Sequence, residues 1–116
     1  MIIKYDNNNI SKLCNDCKTA TRKLGKDVAI KLGMTLEFIN AAETLRDVKN
    51  TPMFRLHDLK GDRKGQFAID LGKKIGYRLI LIPLKNDEER WDSSDINEIY
   101  NSTDIVLLLE VTNHYE

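Results

Sequence analysis

Residues 53–83 read MFRLHDLKGDRKGQFAIDLGKKIGYRLILIP, and this stretch decides the fold. It holds three strand-like apolar runs, MFRLHDL at 53–59, QFAIDL at 66–71 and YRLILIP at 77–83. The connections between them, KGDRKG and GKKIG, are short and contain the glycines that favour tight hairpins. The stretch therefore predicts three strands that pair with their neighbours in an antiparallel meander.

Two further strands are expected at the ends of the chain, IIKY at 2–5 and IVLLLEVTNHY at 105–115. The connection between the third and the last of the long runs is polar and acidic. Asp95 and Glu98 in this connection are suited to capping a short helix that packs Ile99 and Tyr100. The role of this acidic segment, 84–104, stays open between a lid, a partner contact and simple variation.

Upstream of Pro52 the apolar residues follow the helical period of 3.6. One stripe predicts a helix from Asn8 or Asn9 to Leu24, ended by Gly25; its members are Ile10, Leu13, Cys14, Cys17, Ala20 and Leu24. A second stripe predicts a helix that starts behind Asp27 and fades near Ala42; its members are Val28, Ala29, Leu32, Leu36 and Ile39. The predicted fold class is α+β, a single domain over 1–116, with two N-terminal helices packed on one face of a twisted antiparallel sheet of about four to five strands. The other face of this sheet is expected to be partly open.

The composition fits a globular protein, with 41% hydrophobic and 31% charged residues among 116. No stretch approaches the roughly 20 apolar residues of a membrane helix, and no signal peptide is evident, so a cytoplasmic protein is expected. The net charge is zero, but the charges are segregated. Residues 55–83 hold seven Lys and Arg against three Asp and Glu, whereas residues 84–116 hold two against nine. This asymmetry favours a face that binds a polyanion, although many charge runs are only solvated surfaces.

The pair Cys14 and Cys17 forms a C-x-x-C motif, for which a redox pair or half of a zinc site is one interpretation. A structural zinc needs four ligands, and the two histidines, His57 and His114, lie far along the chain. We therefore interpret both cysteines as reduced residues of a helix face that is buried in the core. The loop GDRKG also lacks the pattern of a nucleotide-binding loop. No metal and no cofactor is expected.

Candidate functional residues cluster on the predicted strands and turns. Arg55 and His57 are two positions apart and so share a face of one strand. The cations around them are Arg55, Lys60, Arg63, Lys64, Lys73, Lys74 and Arg78. A histidine pair, His57 and His114, among fixed cations suits phosphodiester cleavage without metal, because imidazole can take or give a proton and cations can hold the charge of the transition state. In the alternative interpretation His57 is structural, the turn cations keep a hairpin soluble, and Arg78 pairs with a carboxylate such as Asp70.

The same residues carry a family resemblance that covers nearly the whole chain. The run from Ala41-Ala42 through Leu45 and Asp47 to Pro52, followed by RLHDLKGDRKGQFAID at 55–70 and YRL at 77–79, resembles the HigB branch of the RelE/ParE toxin superfamily. The ending EVTNHY at 110–115 resembles that family's last strand. The ordered hairpin pattern L-x-x-L-x-G-x-R-x-G, together with a histidine near the C-terminus, is the most specific part.

The resemblance implies a RelE-like fold and the toxin of a type II toxin–antitoxin system. Its activity would be that of a ribosome-dependent mRNA endoribonuclease acting in the ribosomal A site, held inactive by a cognate antitoxin, a helix-turn-helix protein encoded next to it. Operator DNA would be contacted only through that antitoxin. In this comparison His57 and His114 correspond to the acid/base pair, Lys60 and Arg78 to phosphate or transition-state ligands, and Tyr115 to a stacking or orienting group. The predicted RNA-binding residues are Arg55, Arg63, Lys64, Lys73 and Lys74, of which Arg63 and Lys64 correspond to backbone contacts to RNA.

The chain departs from the family at its end, where Asn113-His114-Tyr115 stands in place of an acid, a tyrosine and a histidine. Because a shift of one residue turns a strand side chain to the other face, either His114 or Tyr115 would face the site. Two other functions remain open. One is a ParE-like toxin that poisons gyrase, and the other is a non-catalytic binding or regulatory module on the same fold.

Overall fold

The computed structural model describes residues 1–72 and 76–113. In chain order the helices and strands are β1 (Ile2–Tyr5), α1 (Asn8–Asn15), α2 (Cys17–Leu24), α3 (Lys26–Ala41), α4 (Leu45–Lys49), β2 (His57–Asp58), β3 (Phe67–Asp70), β4 (Tyr77–Leu84), α5 (Ile96–Ser102) and β5 (Ile105–Asn113). Short 3-10 turns at Pro52–Phe54 and Gly61–Arg63 flank β2. The predicted α+β class is confirmed. Within the described residues, every helix is too short or too polar to cross a membrane.

Within residues 1–72 and 76–113 the sheet has five strands in the order β1-β5-β4-β3-β2, and it is mixed. Neighbours from β2 to β5 pair antiparallel, as the meander predicts, but β1 runs parallel to β5, with Ile2 opposite Ile105. The prediction of a purely antiparallel sheet is therefore wrong at this edge. The rule of local pairing applies to strands joined by short turns, whereas a parallel pair needs a long crossover. Here the helices and the other strands form that crossover.

The predicted helix over 8–24 is two helices, because Asp16 interrupts it. Asp16 is extended (φ −127°, ψ 102°), and its backbone N–H closes α1 on the carbonyl of Lys12. Its carboxylate caps α2 by accepting hydrogen bonds from the backbone N–H of Lys18 and from the hydroxyl of Thr19, both at 3.0 Å. The hydroxyl of Thr19 is the main cause of a lowered pKa for Asp16. Aspartate is more favourable at an N-cap position than inside a helix. Asp16 therefore divides an otherwise continuous apolar stripe into two helices.

The break also separates the two cysteines. Cys14 lies near the end of α1, is partly buried and packs against the main core, whereas Cys17 begins α2 and is exposed. Burial raises the pKa of the Cys14 thiol to about 11. The interpretation of both cysteines as core residues thus holds for Cys14 and is wrong for Cys17.

The second predicted helix is confirmed as α3, which starts after Gly25 and buries Val28, Leu32 and Ile39. Gly25 has φ +86°, a conformation that L side chains rarely adopt, and this residue both ends α2 and precedes α3. The short helix predicted from Asp95 is confirmed as α5, with Tyr100 buried.

The strand predicted over 53–59 is wrong for its first half. Pro52–Phe54 form a 3-10 turn, Arg55 is left-handed (φ 49°), and only His57 and Asp58 join the sheet. The turn inserts Phe54 into the core, where its ring lies 4.8 Å from that of Phe38. Burial of this aromatic side chain thus outweighs strand propensity.

The main core lies between the helices and one face of the sheet, called here the core face. Leu79, Leu81 and Leu108 point into it and are fully buried. The opposite face, called the open face, is apolar near the β1 edge, where Ile82 and Ile105 belong to a second buried cluster. Toward β2 the open face carries polar side chains around the buried Ala68 and Ile80, and these polar side chains form the candidate site.

Candidate functional site

Strand register brings polar side chains into two rows on the open face. In an antiparallel pair, directly opposed residues point to the same side. His57 opposes Ala68, Ala68 opposes Ile80, and Ile80 opposes Glu110, which makes the first row. The second row begins two residues away, where Asp70 opposes Arg78. We call the group of Arg55, His57, Arg63, Asp70, Arg78 and Glu110 the open-face site.

The imidazole of His57 is oriented by the backbone. Its Nδ1 lies 2.7 Å from the carbonyl oxygen of Arg55. A carbonyl oxygen only accepts hydrogen bonds, so Nδ1 donates, and in the neutral ring Nε2 keeps its lone pair. No residue described in 1–72 and 76–113 bonds to Nε2. The ring is therefore arranged to accept a proton at Nε2.

Two arginines share one carboxylate beside this histidine. Asp70 lies 3.2 Å from Nε of Arg55 and 4.0 Å from Nε of Arg78, and its side chain is only 21% exposed. Arg55, two residues before His57, is 65% exposed. The alternative prediction that Arg78 pairs with Asp70 is thus borne out, and the sharing of Asp70 with Arg55 was not foreseen.

Arg63 reaches the site from the loop between β2 and β3. The Gly61–Arg63 turn and Gly65 (φ +90°) fold this loop back, so that the backbone N–H of Leu59 bonds the carbonyl of Gln66. Arg63 then donates to the side chain of Gln66 at 2.7 Å and to Glu110 at 3.1 Å. The predicted hairpin therefore does bring one of its cations to the sheet.

Glu110 is a site residue that sequence reasoning missed. Between Ile80 and Leu81 the register shifts, so Leu81 opposes Leu108 and Ile80 opposes Glu110, which leaves Leu109 as the extra residue of a β-bulge. Without the bulge, Glu110 would share the core face with Val106 and Leu108. A glutamate at a core position of an otherwise alternating strand was the available signal for the bulge.

Lys60 and Lys64 are not brought to His57. Lys60 bonds Asp58 at 2.8 Å, and this hydrogen bond is the main cause of a lowered pKa for Asp58. Asp58 follows His57 in β2 and opposes the buried Phe67, so it alternates to the other face. Lys64 is exposed at the end of the loop. The remaining predicted site residues, Lys73, Lys74, His114 and Tyr115, lie outside the described residues and stay predictions.

A cleft of about 230 Å³ adjoins the open-face site, between the helices α1 and α2 and the end of β5. Lys23 and Glu110 lie in its wall, together with apolar side chains such as Leu13. In the part of the chain that is described, no three His, Cys, Asp or Glu side chains come together in a way that would hold a metal ion.

Comparison of the chain with models of known protein families finds no match, and neither does comparison with curated proteins.

Proposed function

We propose that this chain is the toxin of a type II toxin–antitoxin system, an endoribonuclease of the RelE and HigB type that cuts mRNA in the ribosomal A site without a metal ion. The observation that carries the proposal is the His57 imidazole, whose Nδ1 is bonded to the Arg55 carbonyl while Nε2 is left to accept a proton. Two guanidinium groups, of Arg55 and Arg78, share its face of the sheet.

In the proposed reaction Nε2 of His57 removes the proton of an RNA 2′-hydroxyl, and the oxygen attacks the adjacent phosphorus. The bond from phosphorus to the 5′-oxygen breaks, and a 2′,3′-cyclic phosphate and a 5′-hydroxyl are formed. Arg55 and Arg78 would bind the phosphate oxygens and stabilise the charge of the transition state, for which a guanidinium fork is well suited. The proton for the leaving oxygen would come from the predicted terminal residue, His114 or Tyr115.

The proposal includes the partners that the family resemblance implies. These are mRNA in the ribosome, a cognate helix-turn-helix antitoxin encoded next to the chain, and operator DNA only through that antitoxin. The protein would act in the cytoplasm, where translation takes place.

A non-catalytic binding module is the second candidate, and one observation favours it. Arg55, Arg63 and Arg78 each have a carboxylate partner, so these arginines are already paired in the free protein. Such pairs can serve a folded surface with no chemistry. The two candidates differ in a measurable way, because only the nuclease needs a proton acceptor at Nε2 of His57.

The deciding experiment is single-turnover cleavage of mRNA on stalled ribosomes by the wild type and His57→Asn. An asparagine amide can replace the hydrogen bond to the Arg55 carbonyl but offers no base. We expect cleavage to slow by about 10²–10⁴-fold while ribosome binding is retained. Asp58→Asn is the matched control, on the next residue and the opposite face, and should cleave within about threefold of wild type, because the loss of an exposed ion pair has a small effect.

Equal cleavage rates in folded wild type and His57→Asn would refute the nuclease mechanism. Binding to ribosomes without any cleavage by the wild type would favour the non-catalytic module. Growth arrest with DNA damage and uninterrupted translation would instead indicate the gyrase-poisoning alternative.

A further inference from the structure

All three arginines of the open-face site are held by carboxylates of the same chain. Asp70 lies between Arg55 and Arg78, and Glu110 lies 3.1 Å from Arg63. Both acids stand on strands, at fixed register positions of β3 and β5. The arginines, by contrast, have long side chains that can change partner without a change in the backbone.

A carboxylate and a phosphate compete for the same guanidinium fork. A carboxylate on the same chain loses no translational or rotational entropy of association when it pairs with the arginine. It therefore competes at a high effective concentration. The pairs here are partly exposed, with side chains such as that of Arg63 41% accessible. An exposed pair such as that of Arg63 and Glu110 changes an equilibrium constant by no more than about fivefold, so an incoming phosphate can displace it.

The Asp70 and Glu110 carboxylates are too far apart for one small anion to replace both. Asp70 and Glu110 stand two strands apart and in neighbouring rows, which places their backbones about 9.6 Å apart across the sheet and about 7 Å apart along it. A single phosphate can therefore displace only one carboxylate, and it gains either Arg63 or the two arginines beside Asp70. An RNA strand presents several linked phosphates and can exchange both pairs in one binding event, with the release of its counterions.

We propose that Asp70 and Glu110 pair with the arginines of the free protein, compete there with phosphate groups, and give way to the linked phosphates of an RNA strand. The inference rests on the proposed function for its ligand class, but it concerns binding and not cleavage. It assigns these two acids a role that neither the predicted catalytic residues nor the predicted RNA-binding residues fill.

The test is equilibrium binding of a short single-stranded RNA methylated at every 2′-oxygen, which cannot be cleaved, to Asp70→Asn and Glu110→Gln. Each variant should bind this RNA about two- to fivefold more tightly than wild type. The slope of log affinity against log salt should steepen by up to about 0.7 for each arginine set free. Inorganic phosphate should also bind Asp70→Asn more tightly than wild type.

Asp62→Asn is the matched control, because it removes the same charge from the exposed turn of the loop without freeing an arginine that the structure shows paired. It should produce less than half of the gain in affinity. Circular dichroism and thermal unfolding establish that each variant is folded. If Asp70→Asn does not fold, the exposed Glu110→Gln carries the test alone.

Tighter binding with a steeper salt slope would support the proposal, since a merely structural role for either acid would weaken binding. RNA affinity that is unchanged, lower or equal to that of Asp62→Asn would overturn it. The result is independent of the nuclease mechanism. Tighter binding in a chain that cleaves nothing would refute only the proposed nuclease, and normal wild-type cleavage without the gain in affinity would refute only this inference.

Discussion

Replacement of Tyr100 by alanine tests whether the acidic segment between β4 and β5 belongs to the core. The Tyr100 side chain is 3% exposed, and its ring lies edge-on to that of Phe67 with centroids 5.7 Å apart. The cationic groups of Arg46 and Lys49 lie 5.1 and 5.5 Å from its centroid. Through this residue α5 packs against α4 and β3, so the second half of the segment is anchored on the core side of the sheet.

Truncation of a buried aromatic side chain costs about 3–5 kcal/mol, and we expect about 4 kcal/mol for Tyr100→Ala because the aromatic and cation–π contacts are lost together with the buried area. With 116 residues the whole protein should be stable by about 6–17 kcal/mol, so this loss is large. In urea, at a slope of about 2 kcal/mol per molar, the unfolding midpoint should fall by about 2 M.

Tyr100→Phe is the control, since it keeps the ring and should remain within about 1 kcal/mol of wild type. A midpoint shift below about 0.5 M for Tyr100→Ala would refute the reasoning and would fit a segment that lifts away as a lid. At the expected cost, an opened α5 would be populated at only about one part in a thousand.

Three further outcomes follow from the structure. In the native protein a thiol reagent should modify the exposed Cys17 well before the partly buried Cys14, as site-resolved mass spectrometry would show; equal rates would contradict the observed burial. Because burial raises the pKa of Cys14 to about 11, its protonated thiol stabilises the fold fully below about pH 8.5, and this contribution is lost as pH rises through about 11. Cys14→Ala should lack that part of the alkaline loss of stability, measured by urea unfolding against pH, and Cys17→Ala should retain it. Asp95 caps α5 by accepting from the backbone N–H of Asn97 at 3.0 Å, so Asp95→Ala should cost about 1 kcal/mol, or about 4 °C in Tm, while Asp95→Asn stays within a few tenths of a kcal/mol.

The parts of the fold that the sequence predicts correctly are those where burial repeats over short distances. The stripe from Val28 to Ile39 has the period of a helix with one buried face, and β3 and β4 are apolar runs joined by a short connection. The cap at Asp95 is also readable, because its interaction spans only a few residues. In each of these cases the local pattern and the tertiary packing require the same conformation.

The predictions fail where a distant contact decides the local structure. Pairing of β1 with β5 joins residues about a hundred positions apart, and no local pattern specifies it. The strand predicted over 53–59 is lost because Phe54 finds a partner in Phe38, on α3. The break in the first predicted helix has a local cause, since Asp16 and Thr19 are close in sequence and form an N-cap. This capping signal was overlooked because the surrounding residues follow a continuous apolar stripe.

At the open-face site, too, local spacing predicts some features and irregular backbone decides others. The prediction that Arg55 and His57 share a face of one strand is wrong in its premise, because Arg55 is left-handed and lies outside β2. Arg55 still reaches Asp70, and its carbonyl accepts the hydrogen bond from His57. Glu110 enters the site only through the bulge at Leu109. The alternation of strand residues therefore indicates which side chains share a face, while backbone irregularities decide which groups meet there.

The segregation of charge along the sequence has a different meaning in the folded chain. The basic stretch 55–83 and the acidic stretch 84–116 suggest a strongly positive face, but Arg63 pairs with Glu110 across that boundary, and Lys4 of β1 pairs with Glu88 of the acidic segment. Within the basic stretch itself, Asp70 lies between two arginines. Charges that are far apart in sequence thus become neighbours, so the paired arginines contribute less to the field of the open face than a count along the chain implies. If an RNA strand binds this face as proposed, its phosphates would replace the carboxylate partners of the arginines. Its affinity would then be set by the difference between the two sets of contacts, not by the number of cations.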